Sequence, residues 1–436
     1  MDFNVNFGIS IFIFLATFLT IFSEKYNRAI IALFGAMCMV WVGHYMGFYS
    51  FEQVLESIDF NTILLLFGMM VIVTLLEKTG FFQYVAIKTA KKTGGNIWLL
   101  TVFLGALTSI LSMILDNVTT IILIVPVTII ITKLLKINPV PILLAEAILS
   151  NIGGVATLVG DPPNIMIGSA AGFSFNSFLV HSLPVVVLSW IVVLFYLRFA
   201  FRRDFSSNTC KNSDALQKID ENKCIKDPYT LKVTLLVLLG IVILFFCHGY
   251  LQIPASFIAL FGASLLLFLS FPKKDPYNIF KKVEWSVMVF FVSLFVLVGG
   301  LEHAGVLEML ANMMIEHAAD NILLTAIIIL WLSAILSAFV DNISMTVAMI
   351  PILSMLQTKG IDGVNILWWA LVFGVGFGGN ATPIGSTAGV IVTAKSGSHK
   401  HPITLKTWLV TGLPAAILSL LVATYALIVF YPFFMG

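Results

Sequence analysis

The sequence predicts an all-α polytopic membrane protein made of two inverted repeats. Three observations predict this fold: an apolar composition, the confinement of basic residues to a few segments, and an internal repeat covering nearly the whole chain. Of 436 residues, 59% are hydrophobic and only 11% are charged, and the mean hydropathy is +1.02. Soluble proteins carry about 25% charged residues, so this chain could not cover its apolar surface in water. The composition excludes a nucleic-acid binder, a soluble enzyme and a disordered scaffold.

The long gaps between basic residues contain the apolar segments. A helix needs about 20 apolar residues to cross a bilayer, and the spans are predicted near residues 7–23, 29–48, 60–77, 178–200, 231–250, 254–271, 284–301 and 407–431. Two further stretches, 142–171 and 364–395, are long enough to cross but are interrupted by glycine and proline. Residues 97–135 and 321–356 are each about twice a span in length, with an Asp-Asn pair near the middle, and predict hairpins. The first span lacks a basic leader and a small-residue cleavage site, which argues against a removable signal peptide.

An internal repeat joins the two halves of the chain. From Glu77 onward its separation is that between Asp116 and Asp341, which we call the repeat offset, and ALFGA at 32–36 recurs two residues further on, at 259–263. Residues 110–126 (ILSMILDNVTTIILIVP) resemble 335–351 (ILSAFVDNISMTVAMIP), and 153–160 (GGVATLVG) resemble 378–385 (GGNATPIG). The division that follows is a first repeat at 1–200, a cytoplasmic linker at 201–230 and a second repeat at 231–436. Each half contains five spans plus one hairpin. Because five is odd, the second repeat enters the membrane from the opposite side, and the repeats are inverted.

The distribution of charge gives an independent test of this inversion. With the N-terminus outside, the loops predicted to face the cytoplasm hold 23 of the 24 lysines and arginines, and only Lys359 falls elsewhere. Equivalent loops differ in the same sense: residues 78–96 contain four lysines, whereas 302–320 contain four acidic residues and no lysine or arginine. We therefore expect a multi-pass protein of the cell membrane with both termini outside.

The two Asp-Asn turns supply the first group of candidate binding residues. An aspartate at the centre of an apolar run costs about 2.5–3.5 kcal/mol, so two at equivalent positions indicate a function. Each can also cap the second arm of its hairpin, a role compatible with ion binding. In the functional interpretation Asp116 and Asp341 bind Na⁺ or carry protons, and amide and hydroxyl oxygens complete the shell. The group comprises Asp116, Asn117, Thr119, Thr120, Asp341, Asn342 and Ser344.

The two interrupted helices supply the second group. Glycine permits an unwound backbone, and proline breaks the hydrogen-bond ladder. Such breaks are found at the midplane sites of secondary transporters, although glycine in membrane helices also serves close packing. The clustering of Gly, Pro, Asn and Thr at the same repeat position favours a site. Its residues are Asn151, Thr157, Gly160, Asp161, Asn164, Asn380, Thr382, Gly385 and Ser386. Ser386 stands at the position equivalent to Asp161, so the two half-sites should differ chemically.

Other polar residues carry weaker signals. Glu146 lies in an apolar stretch near a predicted cytoplasmic end, where either a function or simple contact with water would explain it. The four cysteines have no CxxC spacing, so neither a metal site nor a disulfide framework is indicated, and no cofactor is expected.

The motifs resemble the ion transporter superfamily. The stretches at 115–129 (LDNVTTIILIVPVTI) and 143–172 (LLAEAILSNIGGVATLVGDPPNIMIGSAAG), with their repeat copies at 337–353 and 377–389, are most similar to the arsenite permease/NhaD-type antiporter branch, which also includes the melanosomal P protein. This resemblance implies two re-entrant hairpins, two interrupted helices, a homodimer and elevator-type transport. The dicarboxylate branch carries Ser-Asn-Thr at its hairpin tips. This chain has Asp-Asn instead, which argues against citrate or succinate as substrate.

The sign of charge in the core favours a cation as the transported species. No lysine or arginine lies in a predicted membrane segment, whereas Asp116, Asp161 and Asp341 do. The first hypothesis is a sodium/proton antiporter, not an enzyme, in which Na⁺ and H⁺ compete for the same carboxylates. The alternatives are proton-coupled export of arsenite or another inorganic oxo-species, and a passive channel on the same fold. An intramembrane aspartyl protease also needs two membrane aspartates, but only 159–161 (Val-Gly-Asp) resembles its signature.

Overall fold

Long apolar helices make up most of the computed structural model, which describes residues 5–22, 26–205, 216–270, 277–312, 321–340, 342–398 and 401–436. The predicted ligand Asp341 and linker residues 206–215 lie outside the described residues. Among the described helices, eight are long and apolar enough to cross a membrane, and six shorter ones are also apolar. The predicted all-α polytopic fold is therefore confirmed.

The first repeat and the start of the linker supply eleven described helices. They are α1 (Val5–Phe22), α2 (Arg28–Met46), α3 (Phe51–Glu56), α4 (Phe60–Lys78), α5 (Phe81–Lys91), α6 (Ile97–Ser112), α7 (Asn117–Leu135), α8 (Val140–Gly154), α9 (Pro162–Ala171), α10 (Phe175–Ala200) and α11 (Arg202–Phe205). The chain then forms a short 3-10 helix at Glu221–Cys224 before the second repeat begins.

The second repeat contains the same succession of long helices. They are α12 (Pro228–Leu251), α13 (Ala255–Ser270), α14 (Tyr277–Phe280), α15 (Trp285–His303), α16 (Ile322–Phe339), α17 (Asn342–Thr358), α18 (Asn365–Gly378), α19 (Thr387–Ser398), α20 (Leu405–Val429) and α21 (Tyr431–Met435). Polar residues next to the apolar runs determine where several of these helices begin. The side chains of Asn27, Asp59, Asn96, Ser174, Asp227, Asn321 and Thr404 accept hydrogen bonds from first-turn N–H groups.

Helix packing shows how the repeats are related. Helices α4 and α15 begin and end at positions related by the repeat offset, and so do the starts of α6 and α16, α7 and α17, and α8 and α18. Contacts between the repeats come in reciprocal pairs. Helix α4 packs against α13 and α15 against α2, while α7 packs against α19 and α17 against α9. An exchange of equivalent elements is what a pseudo-two-fold axis produces, in agreement with inverted repeats.

The loops predicted to share one face of the membrane contact one another. Lys91, at the end of α5, forms an ion pair with Glu221 of the linker. Lys282 Nζ lies 3.1 Å from Glu77 Oε1, which joins the loop before α15 to the end of α4. These contacts gather the lysine-rich loops at one end of the bundle. Which end faces the cytoplasm stays a prediction.

Candidate functional site

The carboxylate of Asp161 lies where the two hairpin tips meet the first helix break. Asn117, the first residue of α7, donates through Nδ2 to Asp161 Oδ2 over 3.1 Å. Asn342, its counterpart at the start of α17, donates to the same oxygen over 3.0 Å. Asp161 is only 2% exposed, although it is the N-cap residue of α9 and its side chain makes no capping bond there. The two repeats therefore contribute equivalent amides to one carboxylate.

A second set of buried amides extends the cluster toward the other break. Asn117 Nδ2 also lies 3.2 Å from Asn151 Oδ1, near the end of α8. Asn151 donates to Asn380 Oδ1 and to Ser386 Oγ, both over 2.8 Å. All of these side chains are buried. Six of the residues predicted from the two motif groups therefore form one connected network, and they are Asn117, Asn151, Asp161, Asn342, Asn380 and Ser386.

The network is chemically unequal across the pseudo-two-fold axis. The repeat offset relates Asn151 to Gly376 and Val155 to Asn380. Gly376 and Val155 also meet, because a Cβ added at Gly376 would lie 2.2 Å from Val155 Cγ2. The broken helices of the two repeats thus meet at two equivalent contacts, which we call crossings. One crossing is an amide pair, and the equivalent crossing is apolar. The chemical difference between the half-sites, expected from Asp161 and Ser386, therefore also includes the crossing of Asn151 with Asn380 and its apolar equivalent.

Glycines hold each break in a tight, symmetric turn. A Cβ added at Gly160 would lie 2.5 Å from the carbonyl oxygen of Gly154, and one at Gly385 would lie 3.0 Å from that of Gly379. A threonine hydroxyl links each turn to the neighbouring hairpin by a hydrogen bond. Thr157 donates to the Met113 carbonyl, and Thr382 donates to the Ala338 carbonyl. The predicted site residues Gly160, Gly385, Thr157 and Thr382 therefore support the backbone of the site and lie outside the amide network. Asn164 does likewise by donating to the carbonyls of Gly154 and Thr157, over 2.9 and 2.8 Å.

Asp116 is the N-cap of α7. Its carboxylate accepts from the backbone N–H and from the hydroxyl of Thr119, each over 2.8 Å, and Thr120 Oγ1 donates to its carbonyl oxygen. The residue has φ 93° and ψ 152°, a conformation that costs a non-glycine residue about 1–3 kcal/mol. The capping role considered from the sequence is therefore present, and the ion-binding role stays a prediction. Ser344 is buried in the first turn of α17.

Sequence reasoning missed several residues that hold the site together. Ser112 donates to the Ser150 carbonyl and Ser337 to the Val375 carbonyl, both over 2.9 Å. The repeat offset relates both the two serine donors and the two carbonyl acceptors, so the internal repeat could have indicated these bonds. Trp408 Nε1 donates to the Asn380 carbonyl over 3.0 Å from the distant helix α20, and no sequence pattern indicates that contact.

Glu146 does not reach water, contrary to one of the two expectations. Its side chain on α8 is fully buried, and Thr128 Oγ1 of α7 lies 2.5 Å from its Oε1. Helix α19 of the second repeat packs over both α7 and α8. The second repeat therefore contributes to the burial of Glu146. The position of Glu146 along α8 does not reveal this contribution.

A cavity of about 260 Å³ lies along α9 and α17, the helices that begin at Asp161 and Asn342. Met166 on α9 and Val347 on α17 line it, four and five residues into their helices, about 6–8 Å of axis from the network. The carboxylates that line this cavity are Glu56, Asp59 and Glu302.

Helix ends provide the remaining electrostatics. Helices α7, α9, α17 and α19 all begin beside network residues. Each N-terminus carries about half a positive charge, which favours the ionised form of a nearby carboxylate. Within the described residues, no three His, Cys, Asp or Glu side chains come together as a metal-binding set.

Inverted repeats, paired hairpins and broken helices around a buried polar network are the architecture of a membrane transporter. Comparison with known proteins places the chain more closely. The family model CitMHS, described as citrate transporter, matches residues 18–374. The chain belongs to this family.

Two relatives and one solved structure illustrate the similarity. The 46 kDa membrane protein of Mycobacterium leprae is 38% identical over 95% of this chain and 96% of its own length. The human P protein is 30% identical over 87% of this chain and 54% of its own length, which agrees with the resemblance drawn from the motifs. The YdaH transporter of Alcanivorax borkumensis has a TM-score of 0.58 and 13% identity, covering 94% of this chain and 99% of that one, and shares its fold.

Proposed function

We propose that the chain is a secondary active sodium/proton antiporter with an alternating-access, elevator-type mechanism. The observation that supports this most is the buried carboxylate of Asp161, on which the amides of both hairpin tips converge. A group shared by both repeats is exposed to either side when the repeats exchange their arrangements. Na⁺ and H⁺ compete for it, because a protonated carboxyl is a poor cation ligand.

The chemistry of the network suits a small hard cation. A carboxamide that donates its NH₂ to a carboxylate also carries a carbonyl oxygen, the type of ligand that hard cations take. Ser386 adds a hydroxyl oxygen beside Asn151 and Asn380. The sequence places no lysine or arginine in either hairpin tip or either helix break. The acidic cavity along α9 and α17 would concentrate cations within two helical turns of the network.

The proposal is tested with purified protein in proteoliposomes that carry a pH gradient and an internal pH-sensitive dye. Addition of Na⁺ should collapse the gradient, and Asp161→Asn should abolish that response. Asp204→Asn is the matched control, because it makes the same chemical change away from the network. Asp204 lies in the linker and accepts a hydrogen bond from Asn138 of the loop between α7 and α8. A wild-type protein that ignores Na⁺, or an Asp161→Asn variant as active as Asp204→Asn, would refute the proposal.

A second candidate is proton-coupled transport of arsenite or another oxo-species, or of an anion such as the citrate for which the family model is named. The observation in its favour is that four helix N-termini converge on the network, because such ends bind anions. The same vesicles decide between the two candidates. Proton flux driven by arsenite or citrate, without any response to Na⁺, favours the anion. A passive channel would give current that follows the gradient of one ion without coupling.

We also propose the division into repeats at 1–200 and 231–436 around a linker at 201–230, a homodimer, and a position in the cell membrane with both termini outside. The lysine-rich loops that meet through Lys91, Glu221, Lys282 and Glu77 support a common cytoplasmic end. Labelling of single cysteines in intact cells tests the orientation: a cysteine at position 359 should react with an impermeant reagent, and one at position 88 should not.

A further inference from the structure

Glu146 is a buried carboxyl group that the proposed ion site does not use. It is 0% exposed, and Thr128 is the only described residue that hydrogen-bonds it, through Oε1. The other oxygen, Oε2, has no hydrogen-bond partner among the described residues. An ionised carboxylate so placed would lose its solvation by water, and a proton removes that cost.

The second repeat shows that the helix packing does not require this pair. By the repeat offset, Glu146 corresponds to Leu371 and Thr128 to Leu353. Both leucines are fully buried, and α17 packs against α18 as α7 packs against α8. The equivalent helix packing therefore has apolar side chains at both positions. The carboxyl persists in the first repeat despite its cost, which indicates a function.

The elements packed on α8 offer Glu146 no compensating charge. Helices α6 and α18 carry no titratable side chain. Those on the other packed helices are Lys133 on α7, Lys395 on α19, Arg198, Tyr196 and His181 on α10, and Lys406 and Tyr425 on α20. The four cations and Tyr425 are exposed. Tyr196 donates to the Val410 carbonyl, and His181 bonds the carbonyls of Ser177 and Phe433.

The position of Glu146 is intermediate between a loop and the central network. It lies six residues, about 9 Å of axis, from the start of α8, and five residues, about 7.5 Å, before Asn151. Ser150 follows one turn later on the same helix face and lies 3.5 Å from the Asn117 carbonyl. Ser150 is thus a polar side chain between Glu146 and Asn117, whose side-chain amide bonds Asp161.

We propose that Glu146 is a second proton-binding site, which takes up and releases a proton between the loop at 136–139 and the central network during transport. The proton is exchanged with water at the loop, and no other group is consumed. This inference rests on the proposed function only for the identity of the coupled ion. Proton binding by Glu146 does not depend on whether that ion is Na⁺.

Infrared difference spectroscopy of the purified full-length protein tests the binding step. Between about pH 5 and about pH 9, the wild type should show a protonated-carboxyl band that declines with rising pH. The band should be missing in Glu146→Gln and present in Asp161→Asn. The double variant Thr128→Leu with Glu146→Leu, which copies the pair in the second repeat, provides a folded comparison if Glu146→Gln does not fold.

Transport measurements test the coupling step. Glu146→Gln should retain Na⁺/Na⁺ exchange at equal pH and lose Na⁺/H⁺ exchange, whereas a merely structural residue would affect both alike. The inference is overturned if no pH-dependent band belongs to Glu146, or if the variant exchanges Na⁺ for H⁺ as the wild type does. If the wild type itself does not exchange Na⁺ for H⁺, the proposed function is refuted. Proton binding by Glu146 is then tested by the infrared band alone.

Discussion

The glycines of the two helix breaks allow a comparison within one molecule. In Gly160→Ala the new methyl group would lie 2.5 Å from the Gly154 carbonyl oxygen and 2.8 Å from that of Ser112. Both obstacles are backbone atoms, so neither can rotate away. Overpacking of this kind costs about 1–3 kcal/mol, of which the stiffer unfolded chain offsets about 0.4–1 kcal/mol. We expect a net destabilisation of about 1–2 kcal/mol.

The equivalent change in the second repeat should cost less. In Gly385→Ala the distances to the carbonyls of Gly379 and Ser337 are 3.0 and 3.1 Å, which shifts of a few tenths of an ångström relieve. Gly240→Ala is the control, because nothing lies within 4 Å of its added methyl. The assay is thermal unfolding of the purified variants in detergent, where 1 kcal/mol corresponds to roughly 2–4 °C. A midpoint for Gly385→Ala at or below that of Gly160→Ala would contradict the reasoning.

Two further predictions concern the hairpin tips. Asn117→Ala and Asn342→Ala each remove a donor from Asp161 Oδ2 and should each cost about 1.5–3 kcal/mol in unfolding measurements. Because they share one acceptor, the double variant should depart from additivity by about 0.5 kcal/mol or more, and strictly additive values would argue against a shared carboxylate. Asp116→Gly relieves the strained φ of 93°, whereas Asp116→Ala keeps the strain and loses the cap. Asp116→Gly should be more stable than Asp116→Ala by at least about 1 kcal/mol. The reverse order of their thermal unfolding midpoints would refute strain at this turn.

Hydropathy and the internal repeat were sufficient to predict the long apolar helices. Helix α5 (Phe81–Lys91), by contrast, lies in a segment predicted as a loop, because it is short and carries lysines. The span expected at 60–77 is Phe60–Lys78, and its copy expected at 284–301 is Trp285–His303. The Asp116-Asn117 turn and the glycine-rich interruptions also occur where the motifs placed them. These features depend on local composition and on the bilayer thickness, both of which a sequence encodes directly.

The geometry of the site could be predicted only in part. Asp116 and Asp161 have similar sequence signals, but the turn at Asp116 directs its carboxylate back to Thr119, while Asp161 receives both tip amides. The contact of Asn151 with Asn380 joins positions that are not equivalent in the two repeats. Such contacts depend on how the repeats cross in three dimensions, which an offset along the chain does not specify.

The unequal crossings of the broken helices have a consequence for the resting state. In a transporter of two inverted repeats, the inward- and outward-facing forms arise when the repeats exchange conformations, and identical repeats would populate both forms equally. Here one crossing holds Asn151 against Asn380, and the other holds Gly376 against Val155. A difference of about 1.4 kcal/mol between exchanged arrangements changes their ratio about tenfold. Under the alternating-access mechanism proposed above, the amide pair would give the empty protein a preferred side from which to begin its cycle.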